Sequence, residues 1–83
     1  MIQLVFLASI RERLGCEQQS FELPQESLSV AELIELLSAQ GDVWHQALQG
    51  DKVLVAINQQ MSKPVALVRD GDEVAFFPPV TGG

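Results

Sequence analysis

The sequence predicts an α+β fold: a mixed sheet of four to five strands covered on one face by one main helix. Three observations predict it. Short apolar runs with strand-like alternation stand at both ends of the chain, at 2–7 and 73–77. One strong amphipathic stripe, at 30–37, lies between them. The 83 residues suffice for one domain and not two, so the long helix has to cover the sheet.

In chain order, Ile2 to Leu7 reads as a strand with Ile2, Leu4 and Phe6 on one side and Gln3, Val5 and Leu7 on the other. Ala8 to Leu14 reads as a short helix stopped by Gly15. Gln18 to Leu23 alternates again, with Phe21 and Leu23 inward, and Pro24 ends it. Ser29-Val30-Ala31-Glu32 is a capping box: the serine oxygen takes a free helix amide and the glutamate reaches back. The helix it opens places Val30, Leu33, Ile34 and Leu37 on one stripe, and Gly41 is the expected stop. Asp42 is placed to cap a second short helix, Val43 to Gln49, with Trp44 and Leu48 inward.

After a turn at Gly50-Asp51, Lys52 to Ile57 is apolar on both faces, which suits a central strand. Asn58-Gln59-Gln60 is turn-like, Pro64 interrupts the next segment, and Val65 to Val68 is a short strand or turn. Arg69-Asp70-Gly71-Asp72 is a tight turn into the last strand, Glu73 to Phe77, where Val74 and Phe76 face away from Ala75 and Phe77. This order of elements is the β-grasp, or ubiquitin-like, arrangement. It makes 1–77 the domain and 78–83 an extended C-terminal tail ending in Gly-Gly. The second face of the sheet keeps Leu7 and Phe77 with no helix over them, which suggests a docking surface.

Eleven acidic and five basic residues give a net charge of −6. Arg11, Arg13, Lys52, Lys63 and Arg69 are scattered, so neither nucleic acid nor an anionic membrane is an expected partner. A basic or apolar protein face is. No run approaches the roughly 18 apolar residues of a membrane helix. Arg11, Glu12 and Arg13 interrupt the apolar start too early for a secretory signal, so the expected compartment is the cytoplasm.

Side-chain chemistry is sparse. No phosphate-binding Gly-rich loop is present, so ATP is not expected to bind this chain. Asp70-Gly71-Asp72 lacks the further ligands of a calcium loop, and no metal is expected. His45 stands without a serine or cysteine partner at a telling position, and nothing nearby activates Cys16. By its side chains the protein is not expected to be an enzyme.

The tail Pro78-Pro79-Val80-Thr81-Gly82-Gly83 is the part with chemical potential. The prolines lack amide donors, so they cannot extend the sheet and favour a stiff exit. Six residues span about 20 Å. Two glycines enter a channel too narrow for any Cβ. A carboxylate is a poor electrophile until another enzyme makes it an acyl-adenylate, which a sulfur nucleophile then converts to a thiocarboxylate. Composition alone leaves this open against a frayed terminus or an appended scar.

The stretch Asp70 to Gly83, ending Phe-Phe-Pro-Pro-Val-Thr-Gly-Gly, closely resembles the end of the molybdopterin synthase small subunit family. Ile2 to Gly15, with Phe6, Ala8, Arg11, Glu12 and Leu14, resembles that family's opening, and Val55 to Gln59 its middle strand and turn. The resemblance implies a β-grasp sulfur carrier, itself non-catalytic. Gly83 would be adenylylated by an enzyme related to the one that activates ubiquitin, which uses ATP, and then converted to a thiocarboxylate by a sulfur donor protein. Pro78, Pro79, Val80, Thr81 and Gly82 would insert into the large synthase subunit of a heterotetramer. Sulfur would pass there to cyclic pyranopterin monophosphate to form the molybdopterin dithiolene, with the catalytic residues on the large subunit. Leu7, Met61 and Phe77 would form the docking patch, against ordinary packing for the last two. Arg11 would meet an acidic partner group or form a solvated helix face. A carrier for thiamine thiazole synthesis, a protein modifier joined through Gly83 to lysines, and a plain interaction module are the alternatives.

Overall fold

The elements run β1 (Ile2–Phe6), α1 (Ala8–Leu14), β2 (Gln18–Phe21), β3 (Ser27–Ser29), α2 (Val30–Ser38), α3 (Asp42–Gln49), β4 (Leu54–Ile57), β5 (Gln60–Ser62), β6 (Leu67–Arg69) and β7 (Glu73–Phe77). The structure, a computed structural model, describes residues 1–49 and 53–79. The turn expected at Gly50-Asp51, Lys52, and the end of the tail at Val80, Thr81, Gly82 and Gly83 lie outside the described residues.

Five strands form one mixed sheet in the order β2-β1-β7-β4-β5, and β3 pairs with β6 in a separate two-stranded ribbon. β1 and β7 are parallel neighbours at the centre, and β2, β4 and β5 pair antiparallel outside them. With α2 across one face, this is the β-grasp arrangement read from the sequence.

Alternation in the central strands divides the molecule. Ile2, Leu4 and Phe6 of β1 and Val74 and Phe76 of β7 are buried under the helices. The capping box forms as read: Glu32 N–H donates to Ser29 Oγ at 3.1 Å, and Ser29 N–H donates to Glu32 Oε1 at 3.0 Å. The helix it opens buries Val30, Leu33 and Leu37 on the sheet. Phe6 stacks on Phe76 at 5.7 Å between ring centroids and meets Trp44 edge-on at 5.5 Å, which ties α3 to the central strands. Gly15 ends α1 with φ 72°, and its N–H donates to the Arg11 carbonyl at 2.9 Å.

Several boundaries differ from the sequence expectation. β2 stops at Phe21 because that residue already pairs with Ile2, the first residue of β1; Leu23 lies beyond the ladder, half-buried. α2 ends at Ser38 with Ala39 as its C-cap, three residues before Gly41. Gly41 instead begins the next helix: its carbonyl accepts from His45 N–H at 2.9 Å, which places Asp42 in the first turn of α3. There its charge suits the helix dipole. The strand expected from Lys52 is described from Leu54, and the one expected at 65–68 runs from Leu67 to Arg69, after a turn through Pro64 and Val65. Two strands were not expected, β3 and β5. Gln60 belongs to β5 because Asn58 and Gln59 alone make the hairpin turn, with φ 49° and 68°. Two successive positive φ values mark the hairpin turn whose twist matches the strands.

Two substitutions test these local readings with opposite signs. Ser29→Ala removes one half of the capping box and is expected to cost about 1 kcal/mol, lowering the melting midpoint by roughly 4–8 °C. Gln59→Gly relieves a left-handed backbone that disfavours side chains, offset in part by a freer unfolded chain, and is expected to stabilise by about 0.5 kcal/mol. Thermal unfolding of both variants checks the pair; a Gln59→Gly protein less stable than the parent contradicts the turn assignment.

Candidate functional site

The face of the sheet turned away from α2 carries the candidate site. Strand register assigns its residues. Val5 lies beside Ala75, Ala75 opposite Ala56, and Ala56 opposite Met61, which makes one apolar row across four strands. Phe77 lies opposite Leu54 in the next row. Leu7 joins that row where β1 runs out, because its N–H donates to the Phe76 carbonyl at 3.1 Å. Met61 is 63% exposed and Leu7 41% exposed, while Phe77 and Leu54 are half-buried among these neighbours. An apolar surface of this extent, uncovered on a small acidic chain, is the type of face that takes a protein partner.

The rest of this face is polar. Ser20 Oγ donates to Gln3 Oε1 at 3.3 Å, and Gln3 Nε2 donates to Gln18 Oε1 at 3.4 Å. A clasp at the start of β7 fixes its register against the β4–β5 hairpin. Asn58 Nδ2 donates to Asp72 Oδ1 at 3.0 Å, Glu73 N–H donates to Asn58 Oδ1 at 3.0 Å, and Arg69 N–H donates to Asp72 Oδ2 at 2.8 Å. Asp70 pairs with the amino group of Met1. The carboxylates flanking Gly71 thus tie the turn to the chain start and to the hairpin.

The tail leaves from the apolar end of this face. Pro78 and Pro79 are half-buried, and they wall a cavity of about 160 Å³ completed by Ser9, Ile10, Arg13, Ala47 and Val53. α1 is set at this corner by Leu7, whose carbonyl accepts from Ile10 N–H at 3.2 Å, and by Ala8, whose φ of 53° turns the chain sharply out of β1. The same residues that start the helix therefore hold Leu7 beside the root of the tail.

Of the residues the sequence singled out, Leu7, Met61 and Phe77 come together on one face. Arg11 lies on α1, exposed, with its guanidinium 3.8 Å from the Glu17 carboxylate. Such a pair in solvent contributes little to stability. Pro78 and Pro79 form the tail root, while Val80 to Gly83 lie outside the described residues. His45 is exposed and Cys16 half-buried against the core. Sequence reasoning missed Leu54, Ala56 and the cavity at the tail root. Among the described residues no helix is long and apolar enough to cross a membrane.

Comparison with known proteins covers the whole chain. The profile of the ThiS family matches residues 4–83. The molybdopterin synthase sulfur carrier subunit of Haemophilus influenzae is 43% identical over 84 residues, covering 100% of both chains. The subunit of that name from Escherichia coli strain K12 is 42% identical over 83 residues, again covering 100% of both. Among solved structures, a chain from the complex of subunits 1 and 2 of the Helicobacter pylori molybdopterin-converting factor aligns with a TM-score of 0.68. Its identity is 22%, over 99% of this chain and 97% of that one, a likeness of fold.

The division of the sheet into two faces is testable at adjacent residues. Phe76→Ala empties a fully buried site and is expected to cost about 3–5 kcal/mol. Phe77→Ala removes a half-buried ring from the open face and is expected to cost about 1 kcal/mol. Denaturant unfolding of the two variants measures the difference; equal losses contradict the assignment.

Proposed function

This chain belongs to the ThiS family, and from that premise we propose that it is the sulfur carrier subunit of a molybdopterin synthase. The observation that carries the reading is the end-to-end match to relatives of that name, tail included. The open apolar face, which stops where Pro78 and Pro79 begin, supports it.

In this reading the folded body is a handle and the terminus is the reagent. A large synthase subunit covers Leu7, Met61, Phe77 and their neighbours and receives the tail from Pro78 onward, with Gly83 in its active site. Beforehand, an adenylyltransferase joins the Gly83 carboxylate to the α-phosphate of ATP with release of pyrophosphate. The outer sulfur of a persulfide on a donor protein then adds at the acyl carbon and expels AMP. A second thiol cleaves the resulting acyl disulfide at its S–S bond, leaving a thiocarboxylate on Gly83 and a disulfide on the donor side. That sulfur goes to cyclic pyranopterin monophosphate, and two such transfers build the dithiolene of molybdopterin. Glycine suits both enzymes because the acyl carbon is open from either side and no Cβ obstructs a narrow channel.

The test is intact-mass measurement after incubation with the activating enzyme, ATP and a sulfur donor. The expected result is a mass gain equal to replacement of one oxygen by sulfur, located at Gly83 and absent from a chain lacking Gly82 and Gly83 that still folds. No gain under conditions that sulfurate a known carrier contradicts the proposal. Rescue of thiamine synthesis, in place of molybdoenzyme activity, assigns the carrier to the thiazole pathway instead.

A further inference from the structure

We propose that the cavity at the root of the tail is a docking subsite for one carboxylate side chain, Asp or Glu, of the protein that receives the tail, with Arg13 as the pairing group. The proposal rests on the sulfur-carrier reading for the identity of that protein.

Ser9 and Arg13 are four residues apart on α1 and therefore on one side of the helix. They line the cavity together with Ile10, Ala47, Val53, Pro78 and Pro79. Both prolines lack an amide hydrogen, so the tail side of the cavity offers no backbone donor at those residues. The side-chain donors among the lining residues are the Ser9 hydroxyl and the Arg13 guanidinium, the set that suits a carboxylate.

Charge points the same way. The chain carries a net −6, yet Arg13 has no ion-pair partner among the described residues. The pairs there join Arg11 to Glu17 and the Met1 amino group to Asp70. An exposed guanidinium with no counter-charge among the described residues, beside a notch that Ile10, Ala47 and Val53 help to line, is complementary to an acidic group from outside. The notch lies between α1, the end of α3 and the tail root at Pro78 and Pro79, so a protein that receives the tail meets it where the tail begins. Closing that contact removes water, which strengthens the pair. A second role for Arg13, in the last turn of α1, is to complement the helix dipole. That role affects folding stability and leaves partner affinity untouched.

The experiment titrates the full chain with the purified large synthase subunit of its own organism, at low and high salt. The forms compared are the parent, Arg13→Gln, Arg13→Lys, Arg13→Glu and Phe77→Asp, with melting midpoints to confirm folding. The expected result is a loss of about tenfold in affinity for Arg13→Gln, a larger loss for Arg13→Glu and partial retention for Arg13→Lys. The parent is also expected to weaken with salt more steeply than Arg13→Gln. If the Arg13 variants bind as the parent does while Phe77→Asp does not bind, the subsite is wrong and the open-face reading stands. If Phe77→Asp also binds as the parent does, the docking reading itself is overturned, and the subsite with it.

Discussion

The structure depends on the central position of β7, held between a parallel and an antiparallel neighbour. Its alternation sends Val74 and Phe76 into the core and Ala75 and Phe77 to the open face. A shift by one residue would exchange the two sets and leave both faces wrong. The Asn58–Asp72 clasp prevents this at the entry to the strand, and the Phe6–Phe76–Trp44 cluster prevents it at the exit. The strand that sends Val74 and Phe76 into the core is thus also the one that presents Ala75 and Phe77 at the candidate site.

The chain just beyond β7 is equally constrained. Pro78 and Pro79 cannot continue the ladder, so the sheet ends where the tail starts. The tail root is anchored at a corner built by α1, the end of α3 and the approach to β4. A rigid body with a fixed exit point can deliver the same terminus to different enzymes, each of which supplies its own catalytic groups. In the proposed reading, this division accounts for a side-chain inventory with little chemistry of its own.

Much of this was legible in the sequence where local signals are strong. The capping box, the Gly15 stop, and the alternation of 2–7 and 73–77 depend on spacing alone, and they placed Leu7 and Phe77 on the uncovered face. The end of β7 was legible because two successive prolines carry their conformational meaning locally. β3 and β5 were not, since three residues are too few for a period to show; each exists only because a partner strand lies beside it. Leu54 was hidden in a run apolar on both faces. Met61 came from resemblance and not from pattern. The cavity beside Arg13 is the least legible feature, because residues from positions 9 to 79 meet there only after folding.

The central claim is that the terminal carboxylate is the reacting group and the folded domain its carrier. The most direct measurement is the rate of dithiolene formation by a reconstituted synthase supplied with a chain extended by one residue beyond Gly83, in a system unable to trim it. The account predicts that this chain folds and binds the large subunit but supports no product formation. Product at the rate of the native chain would contradict it.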